Sequence, residues 1–224
     1  MSLWSQSLEI ARVDLHLERR VGDSLRIVLP FAIVSLLIIP LALGVRLNLV
    51  SEIGVAIFWA LGVLFGMQVA LRHAASDTRE HRDLYALLGV DPAARFTGRT
   101  ISGSLLTLGF LLALFAAMIL IYGPDLPEGG IAVGIVASVL LSIGLTELGT
   151  LAGEVTADLR NRTTLASLIV APLALPLVIG ASQAMEALAR DTSILPWVLL
   201  ILATDLALAV AGVGLARPLE EATR

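Results

Sequence analysis

Residues 72–99, RHAASDTREHRDLYALLGVDPAARFTGR, form a polar island between two apolar runs of membrane length, and that contrast decides the fold. Five of the chain's fifteen basic residues fall inside it: Arg72, Arg79, Arg82, Arg95 and Arg99. Loops rich in arginine stay on the cytoplasmic side of a bilayer, because basic residues near a span resist translocation. The island is therefore expected in the cytoplasm, where a soluble protein can dock on it.

Outward from the island, the composition points the same way. The 224 residues are 57% hydrophobic and only 15% charged, with a mean hydropathy of +0.91, whereas soluble domains carry about 25% charged residues. A membrane-spanning helix needs about 20 predominantly apolar residues. Six such runs lie near 27–46, 54–71, 101–122, 131–153, 164–182 and 195–216. The expected fold is all-α, a polytopic membrane protein of six transmembrane helices, with residues 1–224 as one transmembrane domain and no room for a soluble catalytic unit.

Ahead of the first span, residues 3–20 place Ser5, Glu9, Arg12, His16 and Arg20 on one helical stripe, with Trp4, Leu8, Ala11 and Leu15 on one flank and Leu3, Ile10, Val13 and Leu17 on the other. This predicts an amphipathic interfacial helix within residues 1–25, Trp4 and the arginines suiting the headgroup boundary. A helix packed against the spans fits the same pattern. The lead is expected in the mature protein, since its apolar run is longer and starts later than that of a signal peptide.

All fifteen basic residues are arginine, which removes a phosphate-binding P-loop lysine, a Schiff-base lysine and a Ser-Lys dyad. Nucleotide chemistry must then come from a partner. With no cysteine, thiolate metal sites and haem attachment through CxxCH are excluded as well. The GPDLPEGG loop at 123–130 holds no arginine and is expected outside. Thirteen arginines fall inside on this topology, Arg12, Arg19, Arg20, Arg26, the five of the island, Arg160, Arg162, Arg217 and Arg224, against Arg46 and Arg190 outside. Both termini are then cytoplasmic.

Within the island, Asp77 to Leu88 is compatible with a short helix capped by Ser76, paired at Arg79 and Asp83, and closed by Gly89. Leu84, Leu87 and Leu88 give it an apolar edge beside Asp83. Such an element fits a groove on a soluble partner, and it equally suits a helix lying on the membrane. His73 and His81 stand eight apart, too far for a helical metal pair, so with His16 they are expected to be solvated or hydrogen-bonded; no metal site is expected.

Acids inside spans are functional candidates because a charge in hydrocarbon costs several kcal/mol. Glu147 and Asp205 qualify, as proton or substrate sites or as helix–helix hydrogen-bonding groups. Glu154 and Asp158 follow Glu147 toward the interface, within reach of Arg160 or Arg162. Pro172 and Pro176, four apart, interrupt the backbone ladder of span five twice and predict a kink, or a helix that ends and re-enters.

Two stretches carry a family resemblance. The island reads R-x(11)-L-x-x-L-L followed by DPAARFTGR, and Gly149 to Pro176 reads G-T-L-x(8)-R-x-R-x-x-L-x-x-L-x-x-x-P-L-x-x-P. Both resemble the haem exporter protein B family, CcmB, the permease of the bacterial cytochrome c maturation ABC transporter. Glu80-His81-Arg82 departs from the family's Gly-Thr or Gly-Ser step, and Gly89-Val90 stands where a proline often follows the leucines. The resemblance implies an ABC-2 type permease in the bacterial cytoplasmic (inner) membrane, with 72–100 as the coupling loop to the ATPase. It assigns Asp83, Leu84, Leu87, Leu88, Asp91, Arg95 and Arg99 to ATPase coupling, and Gly149, Thr150, Leu151, Arg160, Arg162, Pro172 and Pro176 to the family signature.

Implied partners are a CcmA-like ATPase that carries the ATP, a second copy of the chain, CcmC-like and CcmD-like membrane subunits, and a CcmE-like periplasmic haem chaperone, with no nucleic acid. Haem is implied as cargo rather than as a bound cofactor. The alternatives are an ABC-2 exporter of a lipid, drug or polysaccharide, and a proton-coupled secondary carrier built on Glu147 and Asp205. A membrane-embedded enzyme is disfavoured by the lack of HExxH and GxSxG.

Overall fold

A computed structural model describes residues 2–21, 23–44, 47–156 and 162–222. Its described residues form eight α-helices and no strand: α1 (Leu3–Val21), α2 (Asp23–Leu43), α3 (Leu47–Ala75), α4 (Arg79–Leu87), α5 (Pro92–Tyr122), α6 (Gly130–Val155), α7 (Arg162–Ala189) and α8 (Leu195–Ala222). Six of them, α2, α3 and α5 to α8, are long and apolar enough to cross a membrane. The chain is a polytopic membrane protein.

Helix boundaries differ from expectation where caps decide them. Span three was expected from residue 101, yet α5 starts at Pro92, so the last part of the island forms its opening turns. Asp91 caps it by accepting the Ala93 N–H at 2.9 Å, and Pro92 sits where its missing N–H costs nothing. At the other end Gly123 adopts φ 53°, the left-handed conformation that closes a helix and that glycine takes without strain. Thr78, rather than Ser76, caps α4, accepting from the His81 N–H. Ser76 Oγ instead donates to the carbonyl of His73 at 2.7 Å. α7 runs through both Pro172 and Pro176 as one helix, so it does not end and re-enter.

Among the six spans α6 is the most buried, and α2 and α8 are the least. α6 packs on α3, α5, α7 and α8, while α5 packs on α1, α2, α3 and α8. Phe58 on α3 and Phe115 on α5 meet with their rings tilted by 56° and centroids 5.1 Å apart, among Leu111, Leu114, Leu141 and Leu145, all fully or almost fully buried. In lipid such contacts work by close packing rather than by removal of water, which favours small residues at crossings. At Gly149 a Cβ would lie 3.0 Å from the backbone of Ala70, so glycine lets α6 meet α3. Gly103, in the small-residue run opening span three, would meet Thr146 and His73 in the same way, whereas Gly109 faces open space.

α1 is both amphipathic and packed. Ser7, Ile10 and Ala11 are buried on the face that meets α5, where a Cβ at Gly98 would come within 2.7 Å of the Ser7 carbonyl oxygen. Trp4, Leu8, Val13 and Leu17 remain exposed on the other faces. An apolar outer face over a packed inner one suits a helix in the headgroup layer.

Candidate functional site

The site is built at the end of the bundle that carries α4. This nine-residue helix turns Leu84, Leu87 and Leu88 outward, 52%, 86% and 68% exposed, with Asp83 exposed beside them. Its other side faces the bundle. Tyr85 is half-buried, and burial together with the negative charge of Asp14 pushes its phenol above the ordinary value. Arg82 lines a small cavity with Ala74, Asp77, Arg99, Thr150, Gly153 and Glu154. The helix thus exposes a leucine edge beside the charged Glu80 and Asp83, and turns Arg82 and Tyr85 toward the protein.

Beneath it, α1, α3, α5 and α6 and the α3–α4 turn converge on a buried ion network. Arg95 Nη2 lies 3.3 Å from Glu154 Oε1 and Arg95 Nη1 lies 3.7 Å from Asp77 Oδ2. Arg99 Nη1 lies 3.4 Å from Asp14 Oδ2 and 3.9 Å from Asp77 Oδ1. Arg99 Nη2 also donates to the backbone carbonyl of His73 and to Ser76 Oγ. His73 Nε2 lies 3.0 Å from Ser102 Oγ, which donates to Asp14 Oδ2 at 3.2 Å. Burial holds the Asp14 carboxyl above its ordinary value, although Arg99 and Ser102 pull it down. Removing one partner from such a network strands the other charge, which is why buried pairs behave as structural joints.

The cavity has a volume of about 10 Å³, the space of about one water. Asp77 Oδ1, Arg82 Nε and Thr150 Oγ1 among its lining residues are buried without a hydrogen-bond partner. At the rim, Asp91 receives Arg217 of α8 at 2.6 Å while its own N–H donates to Gln6 of α1 at 3.2 Å. The Arg217 hydrogen bond, helped by the Ala93 N–H, holds the Asp91 carboxyl below its usual range.

The predicted residues distribute unevenly. Asp83, Leu84, Leu87 and Leu88 share the exposed edge, whereas Arg95 and Arg99 are buried in the network and Asp91 sits between. Gly149 lies at the α3 crossing, Thr150 lines the cavity and Leu151 is half-buried. Pro172 is exposed and Pro176 half-buried on α7. Asp158, Arg160 and the side chain of Arg162 lie outside the described residues, and with them the pairing expected for Glu154, which among the described residues pairs with Arg95. Glu147 and Asp205 are buried where α6 meets α8. His16 and His81 are exposed, His73 is buried and hydrogen-bonded in the last turn of α3, and the described residues hold no cluster of three metal-ligating side chains.

Sequence reasoning did not name Asp14, Asp77 and His73 as network members. Asp14 carried a legible signal, an acid between the apolar residues Val13 and Leu15 of an amphipathic helix. The family described as CcmB protein matches residues 5–220. No curated protein matches the chain.

Proposed function

The chain belongs to the CcmB family, membrane subunits of the haem-exporting cytochrome c maturation ABC transporter, and on that premise we propose that it couples ATP hydrolysis on a partner to haem handling. The work done is haem export or release of a haem-loaded chaperone. α4 is the docking element, with Leu84, Leu87 and Leu88 entering a groove of a CcmA-like ATPase and Asp83 at its rim. Asp91, Arg95 and Arg99 act from beneath: they brace the base of α4 against α1, α6 and α8, so that motion of the ATPase reaches the spans.

The observation that carries this reading is the two-sidedness of α4, an exposed leucine edge backed by Arg82 over a buried ion network. Arg82 ties α4 to the bundle beneath it, and the exposed Glu80 and Asp83 beside the leucines suit an aqueous partner better than a lipid surface. The arginine distribution supports cytoplasmic termini and a cytoplasmic α4. Haem is cargo on this reading, and its axial ligands come from CcmC-like or CcmE-like partners, because His73 is engaged and His16 and His81 lie toward the α4 end. A CcmD-like subunit and a second copy of the chain complete the assembly in the inner membrane.

Co-expression with the ATPase subunit tests the docking. Leu84→Asp combined with Leu87→Asp is expected to reduce co-purification by tenfold or more, on the order of 1.4 kcal/mol. Thermal stability should not change, since both side chains are exposed. Undiminished complex formation by the double variant would refute the assignment.

A further inference from the structure

Midway along α6 charge is buried on different terms. Glu147 is 4% exposed and Asp205 7% exposed, and they meet where α6 crosses α8. Asp205 Oδ1 is so close to the α6 backbone that a Cβ on Gly144 would come within 2.5 Å of it. Glu147 lies less than one turn further along α6, within electrostatic reach of Asp205. Glu147 Oε2 and both carboxyl oxygens of Asp205 have no hydrogen-bond partner. The hydroxyls beside the two acids in sequence are spoken for, Thr146 donating to the Ser142 carbonyl and Thr204 to that of Leu200, while Thr150, whose hydroxyl has no partner, lines the cavity beneath α4.

No described cation answers these acids. On α3, His73 is bonded to Ser102, and Arg72 is exposed. On α5, Arg95 and Arg99 are held by Glu154, Asp77 and Asp14. On α7, Arg190 pairs with Glu186 at 2.7 Å, and on α8 Arg217 pairs with Asp91. Two adjacent carboxylates in an apolar crossing repel each other and forgo hydration. A proton removes one charge and supplies a donor for the orphaned oxygens.

We propose that Glu147 and Asp205 form a proton-binding site at the α6–α8 crossing, occupied by at least one proton while the two helices are in contact. Loss of the proton leaves like charges facing each other and drives α8 away from α6, so the crossing separates in a proton-linked manner. The site is independent of the ATPase reading of α4.

Dicyclohexylcarbodiimide, which modifies protonated carboxyls in hydrocarbon, is the probe, applied to membrane vesicles holding the full chain at about pH 6 and about pH 9. Peptide mass mapping is expected to find the adduct on Glu147 or Asp205 at the lower pH and a several-fold smaller yield at the higher one. Glu147→Gln and Asp205→Asn mimic the protonated state, so each should be at least as stable as the wild type at about pH 9 and show a flatter pH dependence. Either amide variant losing stability at about pH 9 overturns the site, because ionised carboxylates would then be needed. So does the absence of any adduct at about pH 6 with pH slopes unchanged in both variants.

Discussion

Two groups of buried charge lie within one bundle and are handled in opposite ways. At the α4 end, Asp14, Asp77 and Glu154 each have a guanidinium within 3.4, 3.7 and 3.3 Å. At the α6–α8 crossing, Glu147 and Asp205 have one another and no described cation. The first group is drawn from residues as far apart as Asp14 and Glu154 and ties together α1, α3, α5 and α6. The second belongs to two helices alone. A paired buried charge resists change because breaking it strands its partner, whereas an unpaired acid can adjust by taking or releasing a proton. The difference separates a rigid joint, suited to transmitting force, from a titrating one, suited to opening.

Breaking the joint should produce the largest effect. Arg99→Met removes a cation shared by Asp14, Asp77 and the His73 carbonyl and is expected to destabilise the protein by about 3–5 kcal/mol. Thermal unfolding in detergent measures it. A loss below about 1 kcal/mol would mean the network is solvated and would erase the contrast. Glu147→Gln sharpens the comparison from the other side, because a neutral amide costs a network residue its partner but costs a protonated one almost nothing.

The smallest effect belongs to the rim. Asp91→Asn keeps a good N-cap for α5 and removes only the charge facing Arg217. Asp91 has its folded value below the ordinary 3.8, so its contribution is complete above that value and is lost as pH falls through the lower folded one. The wild-type advantage over Asp91→Asn should therefore be visible at neutral pH, shrink below about pH 4, and weaken with added salt. Unfolding midpoints across that range check it, and an advantage independent of pH would assign the effect to the cap.

Much of this is legible in the amino-acid sequence alone. Hydropathy sets the six spans, and Leu84, Leu87 and Leu88 beside Asp83 mark an edge that the structure leaves exposed. Arg95 and Arg99 were harder, since an arginine in a polar island reads as solvated. Asp91-Pro92 held the clue: an N-cap followed by proline starts a helix, which carries both arginines into the bundle. What the sequence could not express is pairing at a distance. Asp14 and Arg99 are 85 residues apart, and only the packing of α1 on α5 brings them together. Asp205 met the same limit, since its neighbour is a glycine, Gly144, whose role is the space it leaves.

Cross-linking in assembled membranes tests most directly whether α4 is where the ATPase binds. The chain has no cysteine, so Leu87→Cys and Leu120→Cys each place a single thiol at positions that are 86% and 85% exposed, the first on α4 and the second near the far end of α5. With a short thiol-to-amine reagent and the ATPase subunit present, Leu87→Cys is expected to cross-link to that subunit and Leu120→Cys is not. Equal cross-linking from both positions, or transfer only from Leu120→Cys, would contradict the account.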